Sequence, residues 1–308
     1  MDYMLRATAA DGQILAFACI SRDTVEEARK RHQCSPVVTA ALGRTVTAAA
    51  MMGWQMKSGT DQMTVRIEGN GPIGMINVDC NNHGEVWGYA RNSQVDLPPK
   101  PNGKLDVSGA IGIGVLSIIQ DLGMKEPYTG QTHLVSGEIA EDLAYYYTAS
   151  EQLPSAVSLG VLVDTDYSVK MAGGFILHMM PGATDETAAR LADKVMAFPP
   201  LTEYFQSGHT PEELLEALLG DMNPVFMDRH EVRFQCNCNR EKVTRALLSI
   251  GEDDLNDLAE DGEDVELRCD CCNELYTFTS EEIKELARLA GKAKAKRTEV
   301  SDRSGEER

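Results

Sequence analysis

The stretches "CNC" (residues 236–238) and "CDCC" (residues 269–272) hold five of the chain's eight cysteines. A C-x-C motif and a C-x-x-C motif about thirty residues apart can supply four thiolates to one ion, a donor set that suits tetrahedral zinc or, less often, iron. We therefore predict one zinc ion per chain. The predicted ligands are Cys236, Cys238, Cys269 and Cys272. The spacing fits a permanently closed structural site as well as a redox switch, because oxidants attack zinc-bound thiolates.

Cys271 is an extra thiol beside the predicted site. With Cys269 it forms a second C-x-C motif, so it competes with Cys272 for the role of ligand. We favour Cys272, because two intervening residues make the looser knuckle and let both sulfurs turn toward one ion. His230 is close enough in sequence to Cys236 to be an alternative ligand, although a surface residue is the ordinary interpretation of such a position.

The region that contains both clusters is acidic and poor in large apolar residues. Nine acidic residues and no basic residue fall within residues 252–266. Asn239 is suited to cap a short helix that ends at Gly251. A hydrophobic core alone is too small to fold such a unit, which needs a metal or another cross-link. We therefore predict a zinc-binding domain over residues 231–292 and a disordered tail over residues 293–308.

Residues 1–180 show eight strand-like segments separated by Gly, Pro and Asn or Asp turn signals. The segments are "QILAFACI" (13–20), "QMTVRIEG" (62–69), "GMINVDC" (74–80), "GEVWGYA" (84–90), "GVLSIIQ" (114–120), "QTHLVSG" (131–137), "VSLGVLVD" (157–164) and "GFILHMM" (174–180). Ser35 and Pro36 fit the N-cap and first position of a long helix, and Thr24 and Glu27 have the spacing of a capping box. Strands with few interleaved helices favour an α+β domain with antiparallel sheets over a doubly wound fold.

Residues 181–230 change to a helical pattern, and the strand signals stop. The segment "DETAARLADKVMAF" (185–198) is helical in period, and Thr210 with Glu213 forms a second capping box. Between these helices, "PPLTEYFQSG" (199–208) predicts a break. We interpret the whole stretch as a helical linker whose apolar faces must rest on another surface.

The overall charge excludes two classes of partner. The 308-residue chain has a formal net charge of -19 and a pI near 4.7, so it repels nucleic-acid phosphates and anionic lipids. We find no basic start followed by an apolar segment and cleavage site, and the longest apolar run, "AIGIGVLSII" (110–119), is too short to span a bilayer. These features predict a cytoplasmic protein, where reduced thiols indicate metal binding or catalysis before structural disulfides.

Two motifs that resemble enzyme sites are better explained as structure. "GNGPIG" (69–74) has the letters of a dinucleotide-binding loop but leads into a strand rather than a helix, so we predict a hairpin turn. The C-x-x-C motif of a thiol-disulfide oxidoreductase opens a helix, whereas "CDCCNELYTFT" (269–279) continues into strand-like residues. We therefore predict that the protein is not an enzyme.

The paired cysteines are accompanied by longer segments that resemble one family. The segments are "IEGNGPIGMINVDC" (67–80), the stretch from "GVLSIIQDLG" to "SLGVLV" (114–163) and "AGGFILHMMPGA" (172–183). Together with the two cysteine motifs they resemble the heat shock protein 33 family of redox-regulated chaperones over nearly the whole chain up to the tail. The resemblance implies an ATP-independent holdase of the cytosol, inactive while reduced and zinc-bound, which binds unfolding proteins under oxidative stress. It also implies that oxidation forms disulfides, releases zinc, unfolds the zinc domain and linker, and leads to a homodimer.

The expected disulfides join Cys236 to Cys238 and Cys269 to Cys272, because oxidation most readily joins sulfurs already held at one metal. Cys271 departs from the family's simplest C-x-x-C pattern, which leaves open which thiols pair. A thiol-disulfide oxidoreductase and a constitutive structural zinc-domain protein are the alternative functions.

Overall fold

The computed structural model describes the backbone of residues 1–305 and the side chains of residues 1–292. The chain folds into two compact units, Met1–Cys236 and Asn237–Arg308. Residues 181–230 are therefore part of the first unit, and their role as a linker stays a prediction. The predicted disordered tail, residues 293–308, lies outside the described side chains, and its last three residues lie outside the described backbone.

The N-terminal unit contains two sheets. Its strands are β1 (Tyr3–Ala9), β2 (Ile14–Ile20), β3 (Gln62–Gly69), β4 (Met75–Asn81), β5 (Glu85–Ala90), β6 (Gly114–Asp121), β7 (Tyr128–His133), β8 (Ser155–Val163), β9 (Val169–Met179), β10 (Val225–Glu231) and β11 (Arg233–Phe234). Its helices are α1 (Arg22–His32), α2 (Pro36–Gly53), α3 (Val107–Ile111), α4 (Ile139–Ala149), α5 (Asp185–Ala197), α6 (Leu201–Gln206) and α7 (Pro211–Leu219), and Gly220–Met222 form a 3-10 turn.

The two sheets are almost entirely antiparallel. The first has five strands in the order β10-β1-β2-β9-β8, and the second has six in the order β11-β5-β4-β3-β6-β7. Only the short pair of β11 and β5 is parallel among the described strands. Each of the eight predicted strand segments overlaps a strand, and the turn between β3 and β4 falls within residues 69–74, as predicted. The predicted α+β class is confirmed.

Helix α2 occupies the core between elements of both sheets. Its sequence, "PVVTAALGRTVTAAAMMG", is apolar on nearly every face, as a fully buried helix requires. Ser35 is its N-cap and Pro36 its first residue, as predicted. Successive side chains of β2 point to opposite faces of the five-stranded sheet. Phe17 faces the core around α2, whereas Ala16 and Ala18 face the other side.

Helices α5, α6 and α7 cover that opposite side. Leu191, Leu201 and Phe205 are buried there in one cluster with Phe175 and Leu177 of β9. The apolar faces of the predicted linker therefore rest on a sheet, as expected. In the capping box of α7, the Thr210 backbone N–H donates to Glu213 Oε2 at 2.8 Å and the Glu213 N–H donates to Thr210 Oγ1 at 3.2 Å, which confirms the second predicted box.

Two local expectations are wrong, and a third is incomplete. Strands do not stop at Pro181, because β10 adds to the edge of the five-stranded sheet by pairing with β1. Residues 199–208 separate α5 from α7 as predicted, but they also contain the short helix α6. Thr24 does not cap a helix: α1 already begins at Arg22, and the Thr24 N–H and hydroxyl both donate to the Asp2 carboxylate, at 2.6 and 2.7 Å.

The C-terminal unit is built around one hairpin. Its elements are α8 (Arg240–Ile250), α9 (Glu252–Leu258), β12 (Val265–Arg268), β13 (Leu275–Phe278) and α10 (Ser280–Gly305), with β12 and β13 antiparallel. Its buried apolar cluster is small, and its members are Leu247, Leu255, Ala259, Phe278, Ile283, Leu286 and Ala287. Among the residues that the structure describes, no helix of either unit has the length and apolar character needed to cross a bilayer.

His178 is a buried histidine in the α2 core. Its ring is 0% exposed and packs edge-on against Tyr147, with 4.6 Å between ring centroids. Its Nδ1 lies 2.8 Å from Ser155 Oγ, and that hydroxyl donates to the Leu153 carbonyl at 2.7 Å. The single hydroxyl hydrogen of Ser155 is used in the bond to Leu153, so the hydrogen between Ser155 and His178 must come from the ring. We therefore place the ring hydrogen on Nδ1 and leave Nε2 unprotonated. Burial lowers the pKa of His178 to about 4.

The buried His178 ring should make the N-terminal unit less stable in mild acid. The unfolded chain binds a proton near pH 6.5 but the folded chain only near pH 4, so stability present above pH 6.5 is lost as the pH falls toward 4. Between pH 7 and 5.5 the free energy of unfolding should fall by about 1 kcal/mol more in the native chain than in His178→Phe. Urea unfolding of the N-terminal unit measures this difference. Equal pH dependence in the two chains would contradict the assignment.

Candidate metal centre

The four predicted ligands lie at the ends of short elements. Cys236 follows β11, and Cys238 precedes the N-cap of α8, where Asn239 Oδ1 accepts the Lys242 N–H at 2.8 Å. Cys269 directly follows β12, and Cys272 precedes β13. Strand and helix ends fix the backbone on both sides of each cysteine motif, so the sulfurs are held on comparatively rigid supports.

The second motif is closed by a tight turn. The Cys269 N–H donates to the Glu274 carbonyl at 3.0 Å, and the Asn273 N–H donates to the Cys269 carbonyl at 2.7 Å. Asn273 has a φ of 59°, in the left-handed region that asparagine tolerates better than most residues. This turn reverses the chain between β12 and β13 and brings the sulfurs of Cys269 and Cys272 together.

All four sulfurs lie within 4.8 Å of one another, and Cys238 Sγ is 3.3 Å from Cys272 Sγ. In a tetrahedral site with metal–sulfur bonds of about 2.3 Å, neighbouring sulfurs are about 3.8 Å apart. Cys272 is buried, and the other three are half-buried. The donor set therefore fits a single ion of the kind that thiolates prefer, with only a small adjustment of the side chains.

The surroundings of the sulfurs affect their protonation. Burial raises the pKa of Cys272 to about 12, and the neighbouring thiols Cys238 and Cys269 contribute to the shift. A bound cation reverses this preference, since it replaces the thiol protons. The Tyr276 hydroxyl donates to Cys238 Sγ at 3.1 Å, and this hydrogen bond raises the pKa of Tyr276, so the hydroxyl keeps its proton.

The structure brings together the four sulfurs that the spacing predicts and leaves the two alternatives outside that group. Cys271 is half-buried beside them. His230 lies in β10, where its ring stacks on Trp54 with 5.7 Å between centroids. Tyr276 was not predicted from sequence. The sequence shows only a tyrosine a few residues after the second motif. That position does not predict a contact with Cys238 unless the hairpin is known.

The other three cysteines are buried in the N-terminal unit. Burial raises the pKa of Cys34 to about 12 and also raises the pKa values of Cys19 and Cys80. At neutral pH these thiols stay protonated, and a protonated thiol is a poor nucleophile. These three buried thiols are therefore poor targets for oxidants.

The sequence profile of the Hsp33 protein family matches residues 2–279. The chain belongs to the Hsp33 family. It is 50% identical to a 33 kDa chaperonin of Lachnoclostridium phytofermentans over 92% of this chain and 98% of the relative, and 44% identical to that of Geobacillus sp. (strain WCH70) over 94% and 98%. The crystal structure of the Thermotoga maritima 33 kDa chaperonin matches with a TM-score of 0.88 at 39% identity, covering 93% of this chain and 98% of that one.

Membership of the Hsp33 family makes this protein a chaperone rather than an enzyme. The hairpin geometry agrees, because the C-x-x-C motif lies in the turn between β12 and β13 and not at the start of a helix.

The cluster predicts one bound metal ion per reduced chain. Native mass spectrometry under reducing conditions should show it in the native chain and in Cys271→Ser. The double variant Cys236→Ser/Cys238→Ser should carry none, because two thiolates are too few to hold the ion tightly. The ligand assignment is wrong if Cys271→Ser loses the ion while Cys272→Ser retains it.

Proposed function

We propose that this chaperone is a redox-regulated, ATP-independent holdase of the cytoplasm. It holds one zinc ion and is inactive while reduced; oxidation of the four thiols releases zinc and activates it. Two observations support the proposal: the sulfurs of Cys236, Cys238, Cys269 and Cys272 converge, and the described apolar core of the C-terminal unit is small.

Zinc is the ion that best suits the site. Four thiolates are soft ligands, and tetrahedral sulfur sites select zinc or iron. A structural zinc contributes about 10 to 16 kcal/mol of apparent binding free energy in small zinc peptides, as much as the whole stability of a typical domain. Among the residues whose side chains the structure describes, the apolar cluster of the C-terminal unit has seven buried members, so the ion would supply stability that this core does not.

Oxidation removes the ligands. When two thiols join, a sulfur–sulfur bond forms, two electrons and two protons pass to a peroxide, and the peroxide is reduced to two waters. Disulfide sulfurs are no longer thiolates, so zinc leaves. We propose the pairs Cys236 with Cys238 and Cys269 with Cys272, each joining sulfurs within one motif. The 3.3 Å contact of Cys238 with Cys272 makes a cross-pair the competing outcome.

We propose that unfolding of the C-terminal unit extends into the segment that precedes it in the chain. Only Gln235 separates Cys236 from β11, which follows the edge strand β10. Val225, Phe226 and Met227 of β10 are already 62%, 41% and 53% exposed. Helices α5, α6 and α7 cover the apolar side of the five-stranded sheet, so their release would uncover it. Such a surface binds unfolding proteins, and it also favours a homodimer of the oxidised form.

The direct test compares aggregation suppression by the reduced, zinc-bound chain and by the peroxide-treated chain, without ATP. The reduced chain should be inactive and the oxidised chain active, with zinc released in parallel. Cys34→Ala is the matched control: its thiol lies outside the cluster, so the variant should respond like the native chain.

Equal activity of the two forms would contradict the switch and leave a constitutive structural zinc site. Peptide mapping of the same oxidised sample checks the pairing, and a dominant bond between Cys238 and Cys272 would overturn it.

A further inference from the structure

Cys238 has a neighbour that neither cysteine motif contains. The Tyr276 hydroxyl oxygen lies 3.1 Å from Cys238 Sγ, within hydrogen-bonding distance for a sulfur acceptor. Both side chains are half-buried, so the contact is partly shielded from water. The hydrogen bond therefore persists in a region where water competes for it less than at an open surface.

The hairpin fixes the position of this hydroxyl. Tyr276 pairs with Leu267 across β12 and β13. Two residues along the same strand, Phe278 is 2% exposed and belongs to the buried cluster of the unit. Residues two apart in a strand point to the same face, so the buried Phe278 ring anchors the face that carries Tyr276.

A hydroxyl hydrogen bond changes the chemistry of a thiolate. It withdraws negative charge from the sulfur, which stabilises the thiolate as a ligand and makes it a weaker nucleophile. Attack on a peroxide consumes that charge, so the hydrogen bond is stronger before attack than in the transition state. The contact therefore slows oxidation of the sulfur that accepts it.

We propose that Tyr276 is a positioning residue that restrains Cys238 and thereby slows oxidation of the pair Cys236 and Cys238. This inference rests on the proposed redox function and names its regulating contact. The Cys238 thiolate attacks one oxygen of hydrogen peroxide: a sulfur–oxygen bond forms, the oxygen–oxygen bond breaks, and hydroxide leaves. The Cys236 thiolate then attacks the resulting sulfenic acid: a sulfur–sulfur bond forms, the sulfur–oxygen bond breaks, and a second hydroxide leaves.

The test is Tyr276→Phe in the full chain, which keeps the ring and removes the hydroxyl. Reduced, zinc-loaded protein is treated with hydrogen peroxide, quenched by alkylation at intervals and analysed by peptide mass spectrometry. The peptide with Cys236 and Cys238 should be oxidised about tenfold faster than in the native chain, because one hydrogen bond to a charged acceptor contributes a factor of about that size. Thr277→Val is the matched control, since it removes an exposed hydroxyl from the next residue of the same strand.

Two further readouts separate a local effect from a loosened fold. Oxidation of the peptide with Cys269 and Cys272 should be accelerated less than that of the peptide with Cys236 and Cys238. Zinc extraction by a chelator without peroxide should change less than the oxidation rate. Equal oxidation rates in Tyr276→Phe and the native chain would overturn the proposal. Equal acceleration of both peptides together with equally faster chelation would also overturn it, by assigning Tyr276 a purely structural role.

The proposed function and this inference can fail separately. Aggregation suppression by the oxidised native chain reports on the holdase switch. The ratio of thiol oxidation rates between Tyr276→Phe and the native chain reports on the hydrogen bond, whether or not oxidation activates a chaperone.

Discussion

Four thiol sulfurs within 4.8 Å of one another can remain together in only a few chemical states. Four thiolates at that distance repel one another unless a cation lies among them, and four neutral thiols provide little cohesion. A bound ion turns the cluster into the strongest cross-link of the C-terminal unit, whereas disulfides remove the ligands. We therefore expect the fold of this unit, whose apolar cluster among the described residues is small, to depend on which state the sulfurs occupy.

The N-terminal unit is stabilised in a different way. Helix α2 is buried in its core, and α5, α6 and α7 bury apolar side chains on the other side of the five-stranded sheet. Its three cysteines are buried thiols with raised pKa values. These three thiols are therefore poor targets for an oxidant. Under the proposed function, oxidation changes the C-terminal unit while the well-packed N-terminal unit keeps its structure.

Local sequence signals predicted the parts of the fold that local interactions determine. Alternating strands, the caps at Ser35 and Thr210, and the convergence of the two cysteine motifs all follow from short spacings. Strand β10 was missed because nearly all its side chains are exposed, so it shows no alternation, and its partner β1 is far away in sequence. The contact of Tyr276 with Cys238 was missed for a related reason: it depends on the hairpin and not on any motif.

We infer that a bound metal, more than the apolar cluster, holds the C-terminal unit together. Amide hydrogen exchange on the reduced chain, with and without a strong zinc chelator and with no oxidant, tests it most directly. The account predicts that chelation abolishes protection in residues 237–292, including α8 and the β12–β13 hairpin, while α2 and the central strands of both sheets keep theirs. Full protection of residues 237–292 in the metal-free chain would contradict it.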